Sequence, residues 1–283
     1  VRSSAASDVY KRQGPIDGFI QWLKNFATMS PSLLIEVDAE QEKFVSKAFT
    51  VDKGLVRYSE ISFADANLAI VEGSDIPAVR LKLGIFLMLP KFITVCETFS
   101  TTDFTIQVDY ETLNEPGSPA HGEFVSDTIR FVSKSLKMTV NECSPAEFTY
   151  LSDEIFNKSI HVANDAVKIT VTPDQIKNLI AISGIFAADS KKDIMILYSK
   201  ETEDGAAIYA QDKNTLYDYE LGSYVPTGKF QSFSASIFRE KLILSMKGVP
   251  EEVELLMSTM NPTRILLDTV SGTSKTVISI VNE

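Results

Sequence analysis

Two histidines, two cysteines and a hydroxyl-rich run near the C-terminus are the residues of this sequence best suited to covalent or metal chemistry. His121 lies in a glycine- and proline-containing run, His161 stands apart from it, and no serine occupies a Gly-x-Ser-x-Gly elbow. An acyl-transfer triad is therefore not signalled. Ser271-Gly-Thr-Ser-Lys-Thr276 has the hydroxyls and the lysine of a phosphate loop. It lacks the first glycine at Walker spacing and falls between strand-like runs, not before a helix, so it reads as a hairpin turn. Cys96 and Cys143 form no Cys-x-x-Cys pair, which argues against both a disulfide framework and a zinc site. Carboxylates are many but scattered. Asp17, Asp174 and Glu240 fall at expected helix starts, where a negative charge stabilises the helix dipole without further purpose. No catalytic residue, metal or cofactor is expected, and the chain does not read as an enzyme.

The elements that hold these residues come next. At 283 residues with 44% hydrophobic content, the chain is long enough for two domains with real cores. The net charge of −11 excludes a nucleic-acid binder with a uniformly basic surface but leaves room for a local basic lining. No apolar run approaches the ~20 residues that span a bilayer. The longest candidate, Ile85–Leu89, is followed by Pro90. A soluble, cytoplasmic protein with no membrane contact is expected. Residues 1–13 show no helical or strand period and lack the apolar centre of a signal peptide. Asp8–Gln13 resembles translated adapter sequence, so residues 1–13 are expected to be a foreign or disordered leader outside the fold.

Phe19-Ile-Gln-Trp-Leu-Lys-Asn-Phe-Ala-Thr28 is amphipathic, with Asp17 placed to cap its first amides and Pro31 to stop it. Phe19, Ile20, Leu23, Phe26 and Ala27 share one face; Gln21, Lys24, Asn25 and Thr28 fall elsewhere. A second helix is expected with Pro90 at its first position, burying Phe92, Val95, Cys96 and Phe99 and exposing Lys91 and Glu97. Thr172-Pro-Asp-Gln175 is a capping box that opens a third helix carrying Lys177. A fourth, Phe238 to Met246, carries Arg239 and Lys241. Between the helices lie short β-rich runs, including Leu33–Val37, Ala78–Leu83, Val167–Val171, Ile194–Tyr198 and Val253–Met257. The alternation Val79-Arg-Leu-Lys-Leu83 predicts a sheet with one wet face. Helices starting near 18, 90, 173 and 238 give each half the order helix, strands, helix, strands, an internal duplication in pattern.

Leu23-Lys24-Asn25-Phe26-Ala27-Thr28, followed by the apolar Leu33-Leu34-Ile35, resembles the first helix and strand of the sliding clamps of large tailed bacteriophages. Gly84-Ile85-Phe86, the helix after it and Asp103-Phe-Thr-Ile106 look like the next strand, helix and strand of those DNA polymerase processivity factors. The resemblance implies an α+β DNA-clamp fold, similar in plan to proliferating cell nuclear antigen. Its two similar domains would be residues 14–147 and 165–283, each with two helices packed on antiparallel sheets, joined by a connector at 148–164. It implies a homotrimeric ring that encircles duplex DNA irrespective of sequence, with Lys24, Lys91, Lys177, Arg239 and Lys241 facing the hole. It further implies a replicative DNA polymerase and a clamp loader as partners, both bringing short apolar peptides. Phe148, Tyr150 and Leu151 are the candidates for the rim of a peptide pocket. The chief alternative is a structural or assembly protein with a duplicated β-rich fold and no DNA. A β-rich, for example carbohydrate-active, enzyme would instead need carboxylates converging in a cleft.

Overall fold

The computed structural model describes residues 7–12, 16–50, 52, 54–70, 81–85, 88–99, 104–112, 124–134, 137–142, 156–157, 166–186, 194–213, 217–226, 229–246, 251–258 and 264–280. The expected pocket residues Phe148, Tyr150 and Leu151 lie outside them, as do His121, His161, Cys143 and most of the connector. The chain forms two units: Val1–Ala48 with Tyr58–Asp153, and Phe49–Arg57 with Glu154–Glu283. The short piece Phe49–Arg57, which the sequence division leaves in the first half, goes with the second.

In the first unit, helix α1 spans Asp17–Ala27. Asp17 is its first residue, not its cap; Ile16 holds the cap position and no side chain bonds there. The carboxylate acts on the dipole alone. Phe19, Ile20, Leu23 and Phe26 are buried as expected, and Trp22 joins them. Its ring stacks on Phe19 at 5.8 Å, meets Phe26 edge-on at 5.3 Å, and its Nε1 donates to Ser59 Oγ at 3.2 Å. The indole is thus apolar toward the core and satisfied at its one polar atom. Gly18 permits the first turn to press on a backbone carbonyl, since a Cβ there would come within 2.3 Å of Asp65 O.

The strands of this unit are β1 (Ser7–Arg12), β2 (Leu33–Asp38), β3 (Lys43–Phe49), the end of β4 (Leu55–Ser62), β5 (Leu68–Ile70), β6 (Leu81–Ile85), β7 (Thr105–Thr112), β8 (Phe124–Val132) and β9 (Lys137–Glu142). Their order is β4-β3-β2-β6-β8-β7-β1-β5, with β9 on β8. All the registers described are antiparallel except the short β6–β8 pairing. Two expectations need correction. Residues 1–13 were to stand outside the fold, yet Ser7–Arg12 is a strand: Tyr10 lies opposite Ile70 on one side and Ile106 on the other. Six residues are too few to display a period, but neighbours on both sides satisfy the backbone. The wet face expected of residues 79–83 is also absent where the structure describes them, for Lys82 is only 3% exposed. It sits opposite buried Glu36 in the register, and Glu36 pairs with Lys47 at 3.7 Å. Opposite charges across the ladder let a polar residue occupy a covered strand.

Two helices complete the unit. The short α2 (Phe63–Ala66) was not anticipated, although its signal is local: Ser62 Oγ accepts from Asp65 N at 3.0 Å, and Asn67 closes it at φ 52°. Helix α3 (Leu89–Phe99) begins one residue before Pro90, because Leu89 N–H is satisfied outside the helix by Pro31 O at 2.9 Å. Pro90 is therefore second, not first. Its buried stripe is Leu89, Phe92, Ile93, Val95, Cys96 and Phe99. Cys96 is a fully buried free thiol whose pKa burial pushes up, the behaviour of a core residue.

The second unit comprises β10 (Ala166–Val171), α4 (Pro173–Phe186), β11 (Ile194–Thr202), β12 (Gly205–Asp212), β13 (Asp218–Tyr224), β14 (Ser234–Phe238), α5 (Arg239–Met246), β15 (Val253–Ser258), β16 (Arg264–Thr269) and β17 (Ser274–Ser279). The capping box forms: Gln175 N–H donates to Thr172 Oγ1 at 3.3 Å, and Thr172 N–H to Gln175 Oε1 at 2.8 Å. Strands β10-β15-β16-β17 make one antiparallel run and β13-β12-β11-β14 a second sheet. Residues 270–273 turn between β16 and β17 with Gly272 at φ 75°, the hairpin that the sequence suggests in place of a phosphate loop.

Candidate nucleic-acid interface

The amphipathic pattern of α1 and α3 dictates which side chains remain outside. Burying Phe19, Trp22, Leu23 and Phe26 on one helix and Phe92, Val95, Cys96 and Phe99 on the other leaves Gln21 and Lys24, and Lys91, Thr94, Glu97 and Thr98, facing solvent. The two exposed faces adjoin: Lys24 Nζ lies 2.8 Å from Glu97 Oε1, with both side chains 46% exposed. Thr94 and Thr98 donate to the carbonyls of Pro90 and Thr94, at 3.0 and 2.8 Å. Gln21 donates to Asn25 Oδ1 at 3.4 Å. The result is a polar surface on two neighbouring helices, with Lys91 exposed and unpaired among the described residues.

In the second unit, Ile176, Leu179 and Ser183 of α4 turn inward, leaving Asp174, Lys177, Asn178, Ala181, Gly184 and Ile185 outside. Lys177 Nζ is 3.3 Å from Asp174 Oδ1, one helical turn back. Ile185 is 76% exposed. Arg239 of α5 is half-buried and its Nε donates to Ser183 Oγ at 2.9 Å, tying α5 to α4. Lys241 departs from the expectation of an exposed cation. Its side chain is 11% exposed, and its ammonium lies 2.6 Å from Asp52 Oδ2. The reason is the phase of α5, which turns Lys241, Leu242, Ser245 and Met246 inward together. Asp52 is held near pKa 2, mainly by the hydrogen bond from Lys241 and next by that from Thr50.

Of the five cations read from the sequence, Lys24, Lys91 and Lys177 are therefore exposed, Arg239 is half-buried against a neighbouring helix, and Lys241 is committed to Asp52. What the sequence did not signal is the carboxylate beside Lys24. Glu97 is distant in sequence from Lys24, whereas the spacing of Asp174 and Lys177 was visible. Among the described residues no cluster of metal-ligating side chains occurs, and no helix is long and apolar enough to cross a membrane.

By sequence, no family model and no curated protein matches the chain. By structure, the chain has the sliding-clamp fold. It is similar to a candidate DNA polymerase III β subunit from Eubacterium rectale, with a TM-score of 0.65 at 12% identity, covering 97% of this chain and 65% of that one. It is similar to the proliferating cell nuclear antigen of Entamoeba histolytica, with a TM-score of 0.61 at 10% identity over 98% and 100% of the two chains. It is likewise similar to A. fulgidus PCNA bound to the C-terminal region of FEN-1, with a TM-score of 0.58 at 14% identity over 99% of both. The chain thus spans about two thirds of the bacterial β subunit and the whole of a PCNA chain.

Proposed function

We propose that this protein is a sliding clamp that encircles duplex DNA and tethers a replicative DNA polymerase for processive synthesis. The observation that carries the reading is the side-by-side placing of amphipathic helices, α1 beside α3 with the exposed Lys24–Glu97 pair and α4 tied to α5 by Arg239 on the buried Ser183, in a chain of clamp fold. Helices lying side by side offer polar, sequence-blind contact to phosphates, and a tether must hold DNA without reading it. Two such units per chain make three copies the natural number for a closed ring of six units, assembled head to tail by cyclic symmetry. Strand β9 extends from β8 alone among the described strands, so it is an edge able to pair with another copy. The match over the full length of PCNA chains supports the trimer, and the run Leu23–Thr28 supports the tailed-phage type. A peptide from the polymerase or from an ATP-driven loader would dock at the outer face, with Phe148, Tyr150 and Leu151 as rim candidates. The work is done in the cytoplasm, in the host cell if the source is viral.

The decisive measurement is sedimentation of the protein alone and retention on circular duplex DNA. A trimer retained on circles and lost after linearisation is expected; equal retention on both forms would end the topological reading. One observation favours a second reading, an assembly protein that never meets DNA: Lys24 and Lys177 each sit beside a carboxylate. That reading requires a defined oligomer with no retention on circles under any loading condition.

A further inference from the structure

The exposed and half-buried charges of the four long helices are Lys24, Lys91, Lys177 and Arg239 against Asp17, Glu97, Asp174 and Glu240, while Lys241 turns inward onto Asp52. Cations and carboxylates therefore balance on the surfaces that the clamp reading turns toward DNA. The balance is local as well as numerical, since Glu97 and Asp174 lie 2.8 and 3.3 Å from the ammonium groups of Lys24 and Lys177. A phosphate approaching either lysine must displace a carboxylate already there, then remain beside it.

Resting on the clamp reading, we propose that Glu97 and Asp174 are grip-limiting residues: they compete with DNA phosphate for Lys24 and Lys177 and keep the helical face close to electrically neutral. Ion pairs this exposed shift an equilibrium by no more than about fivefold, so they weaken contact with DNA without abolishing it. Each lysine withheld also removes a counterion-release contribution, which is about 0.9 in the slope of log K against log salt for each phosphate engaged. The wild-type ring should consequently hold DNA by topology, with shallow salt dependence, and move along it with little drag. The acidic charge of the whole chain, −11, would discourage adsorption of DNA elsewhere.

The test uses the full-length protein, a fluorescent linear duplex of about two helical turns, and a nicked circular plasmid. Glu97→Gln and Asp174→Asn preserve side-chain size and lie on exposed positions, so trimer mass and melting temperature serve as controls. Each variant should bind the linear duplex up to about fivefold more tightly at low salt, and the salt slope should steepen by about 0.9 for each lysine released. Adding Lys24→Ala to Glu97→Gln should return both readouts to wild type. Unchanged affinity and slope in both variants, with the circle still retained, would overturn the inference and leave the clamp reading standing. Absence of retention on the circle in wild type and variants alike would overturn both.

Discussion

The guanidinium of Arg57 donates from Nη2 to the carbonyl oxygen of Ser245 at 2.8 Å. The same nitrogen reaches Leu244 O at 2.7 Å, and Nε donates to Thr276 Oγ1 at 3.3 Å. The last carbonyls of a helix have no partner within it, so a cation from a distant strand serves as the C-terminal cap of α5 and complements its dipole. Burial lowers the pKa of this side chain to about 10, which leaves it charged at neutral pH.

Arg57→Met should destabilise the protein by about 2–4 kcal/mol, because it leaves buried carbonyls unsatisfied. Arg57→Lys should restore little, since one ammonium cannot reproduce a planar fork directed at three acceptors. Urea denaturation of the three proteins makes the comparison; a loss below about 0.5 kcal/mol for the methionine variant would mean that water replaces the cap.

The Asp52–Lys241 pair gives a pH signature. Asp52 falls from its ordinary 3.8 to about 2 in the folded state, so its contribution is full above 3.8 and is lost as pH falls through about 2. Asp52 is largely exposed, and after solvent screening Asp52→Asn should cost about 1 kcal/mol at pH 7. Stability curves of wild type and variant should converge near pH 2; a gap independent of pH would assign the effect to geometry instead of charge.

Phe26 and Lys24 separate packing from surface chemistry on one helix. Phe26 is fully buried against Trp22, and Phe26→Ala should cost about 3–5 kcal/mol, with a lower melting temperature and, on the proposed clamp reading, less trimer. Lys24→Ala removes a half-exposed ion pair and should change stability by under about 1 kcal/mol. Equal destabilisation by the two, measured by thermal unfolding, would show that α1 presents its other face to solvent.

The capping box is testable without touching any proposed contact. Thr172→Ala and Gln175→Ala should each cost about 1 kcal/mol. The double variant should lose less than the sum, because the two residues satisfy each other's amides. Strict additivity in chemical denaturation would indicate that the reciprocal bonds do not form in solution.

Much of the fold was legible because the chain states it locally. Thr172-Pro-Asp-Gln175 announces α4, the stripe around Phe92 and Cys96 gives α3, and Gly272 marks a hairpin. What escaped was set by partners remote in sequence. Lys82 alternates like a surface residue but faces Glu36 across a covered ladder. Trp22 reads as a residue beside the stripe until Ser59 supplies its acceptor. The proposed site shows the same division: helical period exposed Lys24, Lys91 and Lys177, whereas Glu97 beside Lys24 and Asp52 beside Lys241 come from other elements. Phase alone would have placed Lys241 inside, had Leu242, Ser245 and Met246 been taken as its face.

The nine residues Phe49–Arg57 bear on how the protein can be taken apart. They belong to the second unit yet are made long before the rest of it, so their contacts with α5 can form only once Glu154–Glu283 has been made. A C-terminal fragment expressed on its own would lack Arg57 and Asp52, and with them the cap of α5 and the counter-ion of Lys241. No single cut yields two intact halves. Dissection would need either a circular permutation that rejoins the segment to its unit, or a synthetic 49–57 peptide supplied in trans.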